Sequence, residues 1–304
     1  MKVAVTGSHG LIGSALVDRL RQQGDDVIPV VRAQARSDDI TWDPSTGRMD
    51  PRDLEGVTAV VHLAGAGVGD HRWSASYKET LRTSRTDGTA TLAGALASLS
   101  DPPTVLLSGS AVGYYGVRGN EDLTEEARAG RGFLADLCVQ WEGATASAAE
   151  AGIRVVHLRT GVVLSAAGGA LKKQLLPFRL GLGARLGPGT QQLSWITRRD
   201  VVAALIFLLA RADVSGPVNV TTPAPVSNAE FTRALGRSLH RPAVLAVPTV
   251  ALQAAVGKEM TAEFLLASQR ALPRRLAAAG FEWADTEIGP ALVTALADSA
   301  SVLP

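Results

Sequence analysis

One cysteine, three tyrosines and five histidines stand among 304 residues. The single Cys138 excludes an internal disulfide and any zinc site built from cysteines. His9, His62, His71, His157 and His240 show no metal-ligand spacing, so no metal is expected. Thirty Lys and Arg against 29 Asp and Glu leave a net charge of +1, which argues against a dedicated nucleic-acid surface. Long apolar runs are also missing. The longest, from Val201 to Ala210, is half a membrane span and reads as a buried helix, so no membrane partner is expected. The N-terminus enters a strand at once, with no basic stretch, apolar core or cleavage site before it. No signal peptide is expected, and the expected location is cytoplasmic.

What is present is a large apolar fraction. Hydrophobic residues make up 46% and charged residues 19%, enough for a sizeable core and too much for disorder. The length suits one nucleotide-binding domain with a smaller appendage. The opening residues organise the rest. Met1 to Thr6 reads as a short buried strand, Thr6-Gly7-Ser8-His9-Gly10-Leu11-Ile12-Gly13 as a turn, and Leu11 to Arg21 as a helix. A strand that breaks into glycines and restarts as a helix is an anion site, because a helix N-terminus carries unbonded N–H groups and partial positive charge. Gly7 allows the tight turn, Gly10 lets backbone approach a pyrophosphate, and Gly13 lets the helix lie close on the strand. The spacing is G-x-x-G-x-x-G rather than G-x-G-x-x-G, in the strand–turn–helix context that a dinucleotide site requires.

The second strand, Asp26 to Arg32, ends in a base. An acid at that tip binds the adenosine ribose hydroxyls and selects NAD, whereas an arginine there holds the 2′-phosphate of NADP. Arg32 stands near the expected position and Arg36 follows, while Asp25 and Asp26 sit at the strand's other end. NADP(H) is therefore the cofactor predicted. The third strand closes in His62-Leu63-Ala64-Gly65, small residues of the kind that border a ligand crevice. Trp73 to Leu99 reads as a long helix carrying Ser84 and Arg85. The fourth strand, Val105 to Ser110, runs into Ala111-Val112-Gly113-Tyr114-Tyr115-Gly116. Ser108, Ser110 and Tyr114 thus place hydroxyls at a strand's carboxyl end, suited to a carbonyl substrate beside a nicotinamide. Residues 117–131 read as a mobile loop, with Glu121, Asp122, Glu125 and Glu126 solvated. Phe133 to Ala151 is a helix and Ile153 to Arg159 the fifth strand, completing a β-α alternation with short links. Cys138 lies on an apolar helix face as a buried thiol. Beyond residue 160 the alternation ends. Trp195 reads as core, Asp200 as a helix cap, and Ser227 with Glu230 as a capping box. From about residue 240, short helices broken at Pro248 and Pro273 form a small lobe expected to close over the substrate.

The fold class predicted is α/β, a Rossmann-type doubly wound parallel sheet with a small, mainly helical C-terminal lobe. Residues 1–240 are expected to form the cofactor-binding domain, with substrate-lobe insertions from about 165, and residues 241–304 the C-terminal lobe.

Thr6-Gly-Ser-His-Gly-Leu-Ile-Gly13, His62-Leu-Ala-Gly65 and Ser108-Gly-Ser-Ala-Val-Gly-Tyr-Tyr-Gly116 resemble the extended short-chain dehydrogenase/reductases, the group of sugar-nucleotide epimerases and dehydratases. A closer resemblance is to an atypical branch, the epimerase family proteins with a C-terminal domain of unknown function. It rests on Trp141-Glu142, Leu158-Arg-Thr-Gly-Val-Val-Leu164, Pro177-Phe-Arg-Leu-Gly-Leu-Gly183, Gln191-Gln-Leu-Ser-Trp-Ile196 and Asn228-Ala-Glu-Phe231. The resemblance implies NADP(H) near Gly7, Gly10, Leu11, Ile12, Gly13, Arg32, His62, Leu63 and Arg85. It also makes a homodimer an expectation, through long helices flanking the fourth and fifth strands. The family's usual proton-transfer pair is Tyr-x-x-x-Lys on one helix face. None of Tyr77, Tyr114 and Tyr115 has a lysine four residues on. With Glu142 aligned to the acid that often follows the motif, Leu134 and Cys138 hold the Tyr and Lys positions. Ser110 matches the family's serine and Tyr114 its nearby tyrosine, which makes them the substitute proton donors. Ser110 is not in a G-x-S-x-G elbow, because position 108 is Ser, so a hydrolase is not expected. Two readings stay open. One is an NADP(H)-dependent oxidoreductase or epimerase acting on a small carbonyl or hydroxyl substrate, such as a nucleotide sugar. The other is a non-catalytic NADPH-binding sensor.

Overall fold

Parallel strands covered on both faces need continuous apolar runs rather than alternation. Val3, Ala4 and Val5 supply one, all fully buried. The computed structural model describes residues 1–32 and 39–298; Arg36 lies outside the described residues. Among these, the main sheet has seven strands: β1 (Lys2–Thr6), β2 (Asp26–Val31), β3 (Ile40–Thr41), β4 (Ala59–His62), β5 (Val105–Ala111), β6 (Arg154–Thr160) and β7 (Gly216–Val220). Their order is β7-β6-β5-β4-β1-β2-β3. The chain winds one way from β1 through β3 and the other way from β4 onward, which sets a switch point between β1 and β4, where doubly wound folds bind ligands. The register is parallel and levels the strand ends. Thr6 pairs with Val30 on one side and His62 on the other, and His62 pairs with Ser108.

Between the strands run α1 (Leu11–Gln22), α2 (Ala75–Ala97), α3 (Phe133–Gly143), α4 (Ala146–Glu150), α5 (Gly169–Arg179) and α6 (Arg198–Ala210), and α7 (Asn228–Ser238) follows the last of them. Ser74 caps α2, its Oγ accepting from Tyr77 N at 3.1 Å, so the helix starts two residues inside the predicted span. The capping box of α7 forms as predicted, with Ser227 and Glu230 each bonding the other's backbone. The cap of α6 differs. Thr197 Oγ1 accepts from Asp200 N at 3.3 Å, and the Asp200 carboxylate instead accepts from Ala284 N (3.1 Å) and Asp285 N (2.9 Å). A hydroxyl three residues upstream reaches the first turn, which leaves the acid available for a distant segment.

The chain groups into two compact units. The first comprises Met1–Ser110, Leu137–Leu158 and Val202–Val218; the second comprises Ala111–Asp136, Arg159–Val201 and Asn219–Pro304. In the first, Val60, Leu106, Leu92 and Leu96 form a dry core, where truncating one leucine to alanine costs about 2–5 kcal/mol. In the second, Trp195, Phe231, Leu235 and Leu292 do the same, and Trp195 is core as predicted, its indole N–H donating to Ala224 O at 2.9 Å. Past residue 240 the second unit is mainly short helices, including Thr249–Val256, Arg274–Ala278 and Ile288–Ala297.

Residues 117–131 are not the loose loop their charge suggests. Arg118 N donates to Ser268 O (3.0 Å), Leu123 pairs with Ala271, and Arg270 bonds Asp122 at 2.5 Å. A short strand pairing with a distant segment anchors a stretch whose composition alone reads as solvated. Among the described residues no helix is long and apolar enough to cross a membrane.

Candidate cofactor and proton-transfer site

The turn after β1 leaves no room for side chains. Gly7 has φ +66, and a Cβ there would lie 2.8 Å from the Leu63 carbonyl carbon. A Cβ on Gly13 would strike the Gly7 carbonyl oxygen, so α1 can start this close to β1 only with glycine at both places. Gly10 is the N-cap of α1, with no side-chain cap and no acid in the first turn. The first-turn N–H groups and the dipole therefore have neither a side-chain cap nor a carboxylate of their own turn to satisfy them. Leu11, Ile12 and Gly13 are the residues of that turn.

Beneath this corner lies a buried polar layer. The His62 ring is fully buried, with Nδ1 2.7 Å from Thr6 Oγ1 and Nε2 2.9 Å from Thr89 Oγ1. Thr6 Oγ1 also accepts from Leu63 N (3.1 Å) and Ala64 N (3.2 Å). Its one hydrogen then goes to Nδ1, which places the ring's hydrogen on Nε2. Burial pushes the His62 pKa down to about 4, so the ring is neutral at pH 7. His62 supports the strand end from behind, and Leu63 and Ala64 form the surface.

That surface belongs to a cleft of about 1160 Å³ lined by Gly7, Gly10, Val31, Arg32, Leu63 and Ala64, among others. Arg32 is exposed at the tip of β2. The other edge, Gly65-Ala66, is held by α2. Ala66 N donates to Ser84 Oγ at 3.2 Å, and Arg85 Nη2 donates to Ala66 O at 2.9 Å. Arg85 is 8% exposed. Its second bond goes to Leu81 O (3.2 Å), and its guanidinium lies 5.0 Å from the Trp141 ring centre. Burial lowers its pKa, yet no carboxylate pairs with it among the described residues. Ring face and carbonyls are what hold this cation. Cys138 is buried on the same helix as Trp141. Gly109 makes room for that indole, since a Cβ there would lie 2.6 Å from it. Ser108 Oγ and Trp141 Nε1 are buried with no hydrogen-bond partner among the described residues.

Two residues past the Ser108–His62 pair, Ser110 Oγ donates to Glu142 Oε1 at 2.7 Å. Glu142 Oε2 lies 4.0 Å from His157 Nδ1, and His157 Nε2 lies 2.9 Å from Thr145 Oγ1. Ser110 therefore stands at the head of a polar line running back between α3 and β6.

The sequence that builds this cleft, glycine corner and strand-end serine matches a known family model. The model of the NAD dependent epimerase/dehydratase family covers residues 3–221. This chain belongs to that family. A second model, a domain of unknown function (DUF1731), covers residues 247–295. Epimerase family protein Mb2239 of Mycobacterium bovis is 49% identical over 291 residues, covering 95% of this chain and 96% of that protein. The crystal structure of human epimerase family protein SDR39U1 (isoform 2) with NADPH superposes with a TM-score of 0.89, at 33% identity and full coverage of both chains. A nucleoside-diphosphate sugar epimerase from Corynebacterium glutamicum is 38% identical with a TM-score of 0.80, over 98% of this chain and 60% of that one.

In this epimerase-family chain Tyr114 belongs to the second unit. There the Arg159 guanidinium lies 3.4 Å from the Tyr114 ring centre and donates to Tyr115 OH at 3.1 Å. Tyr115 OH donates to Asn219 Oδ1 at 2.7 Å, and burial pushes its pKa up to about 12. Glu125 corrects the reading of a solvated loop. It is 3% exposed, and its Oε1 accepts from Asn219 N (3.1 Å) and Arg275 N (3.2 Å). Its Oε2 has no partner among the described residues, and burial raises its pKa. Backbone donors from two distant segments, not local charge, set its position. Sequence reasoning placed Glu142 only by alignment and left His157 as a scattered histidine. The signal for that region was Gly109, because a glycine inside a strand marks the close approach of another group.

Proposed function

We propose that the chain binds NADP(H) in the β1–α1 cleft and exchanges a hydride and a proton with a small carbonyl or hydroxyl substrate of the nucleotide-sugar kind. The observation that carries the reading is one cleft holding both the glycine corner and Arg32. The corner suits a diphosphate, because at Gly7 and Gly13 side chains would collide with backbone and the helix start beside them is uncapped. Arg32 at the tip of β2 suits a phosphate on the adenosine ribose. The human relative crystallised with NADPH supports the same choice. Within this reading Gly7, Gly10, Leu11, Ile12 and Gly13 hold the diphosphate, Leu63 and Ala64 line the nucleotide's path, and Ser108 is buried at the strand end behind them. His62 and Arg85 brace the walls. Bound nicotinamide would supply or accept the hydride. Ser110 and Tyr114 are the proton-exchanging hydroxyls, four residues apart along the chain. A cytoplasmic homodimer is the setting we propose for it.

A second reading, an NADPH-binding regulator without turnover, is favoured by Leu134 and Cys138 at the positions of the Tyr-x-x-x-Lys pair. Calorimetry with NADPH and NADH, followed by NADPH oxidation across carbonyl and nucleotide-sugar panels, separates the two. Turnover lost in Ser110→Ala supports the enzyme. Tight NADPH binding with no turnover in any panel supports the regulator. No binding of either phosphorylated nicotinamide nucleotide overturns both.

A further inference from the structure

Ser110 gives its hydrogen to Glu142 Oε1 at 2.7 Å, so its lone pairs face away from that bond, ready to accept a proton. Behind Glu142 the line continues. Thr145 Oγ1 donates to Glu142 O at 2.8 Å and lies 2.9 Å from His157 Nε2. The other ring nitrogen, Nδ1, faces Glu142 Oε2 at 4.0 Å. The two side chains are 18% and 11% exposed, which limits screening by salt. Glu142 from α3 and the Thr145 hydroxyl face the ring, and Ser110 from β5 and His157 from β6 face the carboxylate.

We propose that Glu142 takes and returns the Ser110 proton, and that His157 behind it positions the carboxylate. This Ser–Glu–His line does the Ser110 share of the proton work for which the chain has no Tyr-x-x-x-Lys pair. The inference rests on the hydride-transfer reading. In the oxidising direction the substrate O–H bond breaks and its proton goes to Ser110 Oγ, while the Ser110 hydrogen passes to Glu142 Oε1. The substrate C–H bond breaks with its electron pair leaving as hydride to oxidised nicotinamide, and C=O forms. Reduction of the carbonyl runs the same transfers backward. Ser110 is the catalytic residue that meets the substrate, Glu142 is the acceptor of its proton, and His157 is a positioning residue.

Two measurements on the full chain test it. The first needs no nucleotide: nitrogen-15 NMR of the His157 ring, assigned with His157→Asn. In Glu142→Gln the His157 titration midpoint falls by about one pH unit, because a neutral amide replaces the facing carboxylate. An unmoved midpoint overturns the proposal whether or not the cofactor binds. The second is the pH profile of turnover. Glu142→Gln should lose about 10²–10⁴ in kcat with little change in KM and lose the acid limb of the oxidation profile, and Glu142→Asp should recover part of both. Wild-type kcat with an unchanged profile in Glu142→Gln also overturns it. Failure of NADPH to bind would sink the hydride reading while leaving the His157 midpoint as a separate result.

Discussion

The His62 ring links acid stability to the floor of the cleft. Buried between Thr6 and Thr89, it has its pKa pushed down from 6.5 to about 4 by desolvation. In the unfolded chain it titrates near 6.5. Between those values the unfolded state binds a proton that the folded state refuses, so stability is complete above about pH 6.5 and drains away as the pH falls toward 4. At about 1.36 kcal/mol per pH unit, the loss comes to about 3 kcal/mol. Against a typical total of about 5–15 kcal/mol, that is a large share. The perturbation is His62→Gln, which keeps a donor and an acceptor for the two threonines but does not titrate. Urea unfolding followed by tryptophan fluorescence at about pH 7, 6, 5 and 4.5 gives both stability curves. The wild-type advantage should shrink by about 2.4 kcal/mol across that range, while distant titrating groups cancel in the difference. Parallel curves for the two proteins would refute the reasoning.

Three further outcomes are expected. Gly13→Ala places a methyl against the Gly7 carbonyl, so it should destabilise by about 1–3 kcal/mol and abolish NADPH binding; thermal melts and nucleotide titration check both. Arg32→Asp should weaken NADPH more than NADH by about 1.5–3 kcal/mol, and calorimetry showing equal losses would remove Arg32 from phosphate recognition. Burial raises the pKa of Glu125. Its contribution is therefore greatest at low pH and is lost as the pH rises through the folded value. Glu125→Gln should melt closer to wild type, or above it, at about pH 8 than at about pH 5. The opposite trend in Tm would contradict the sign.

The elements near the chain's start were legible because each rests on local chemistry. Gly7, Gly10 and Gly13 announce the corner, Arg32 marks the tip of β2, and Ser227 with Glu230 announces a helix start. What stayed hidden depends on partners far away in sequence. Arg85 is held by Ala66 and Trp141, and nothing in the helix pattern around it separates a buried arginine from a solvated one. Glu125 is fixed by backbone donors at Asn219 and Arg275. Charged neighbours at 121, 122 and 126 made it look like part of a solvated run. Asp200 sits where a cap is expected, but Thr197 reaches the turn first. Ser110 was visible as a strand-end hydroxyl, whereas its acceptor lies 32 positions on and only folding brings them together.

The two compact units are each stitched from three separate stretches of chain that alternate along its length. No single cut in the gene separates one from the other, and no single crossover with a related gene exchanges one of them whole. Descendants of this architecture therefore alter either unit in place, by point changes and loop edits, rather than trade the second unit as a cassette.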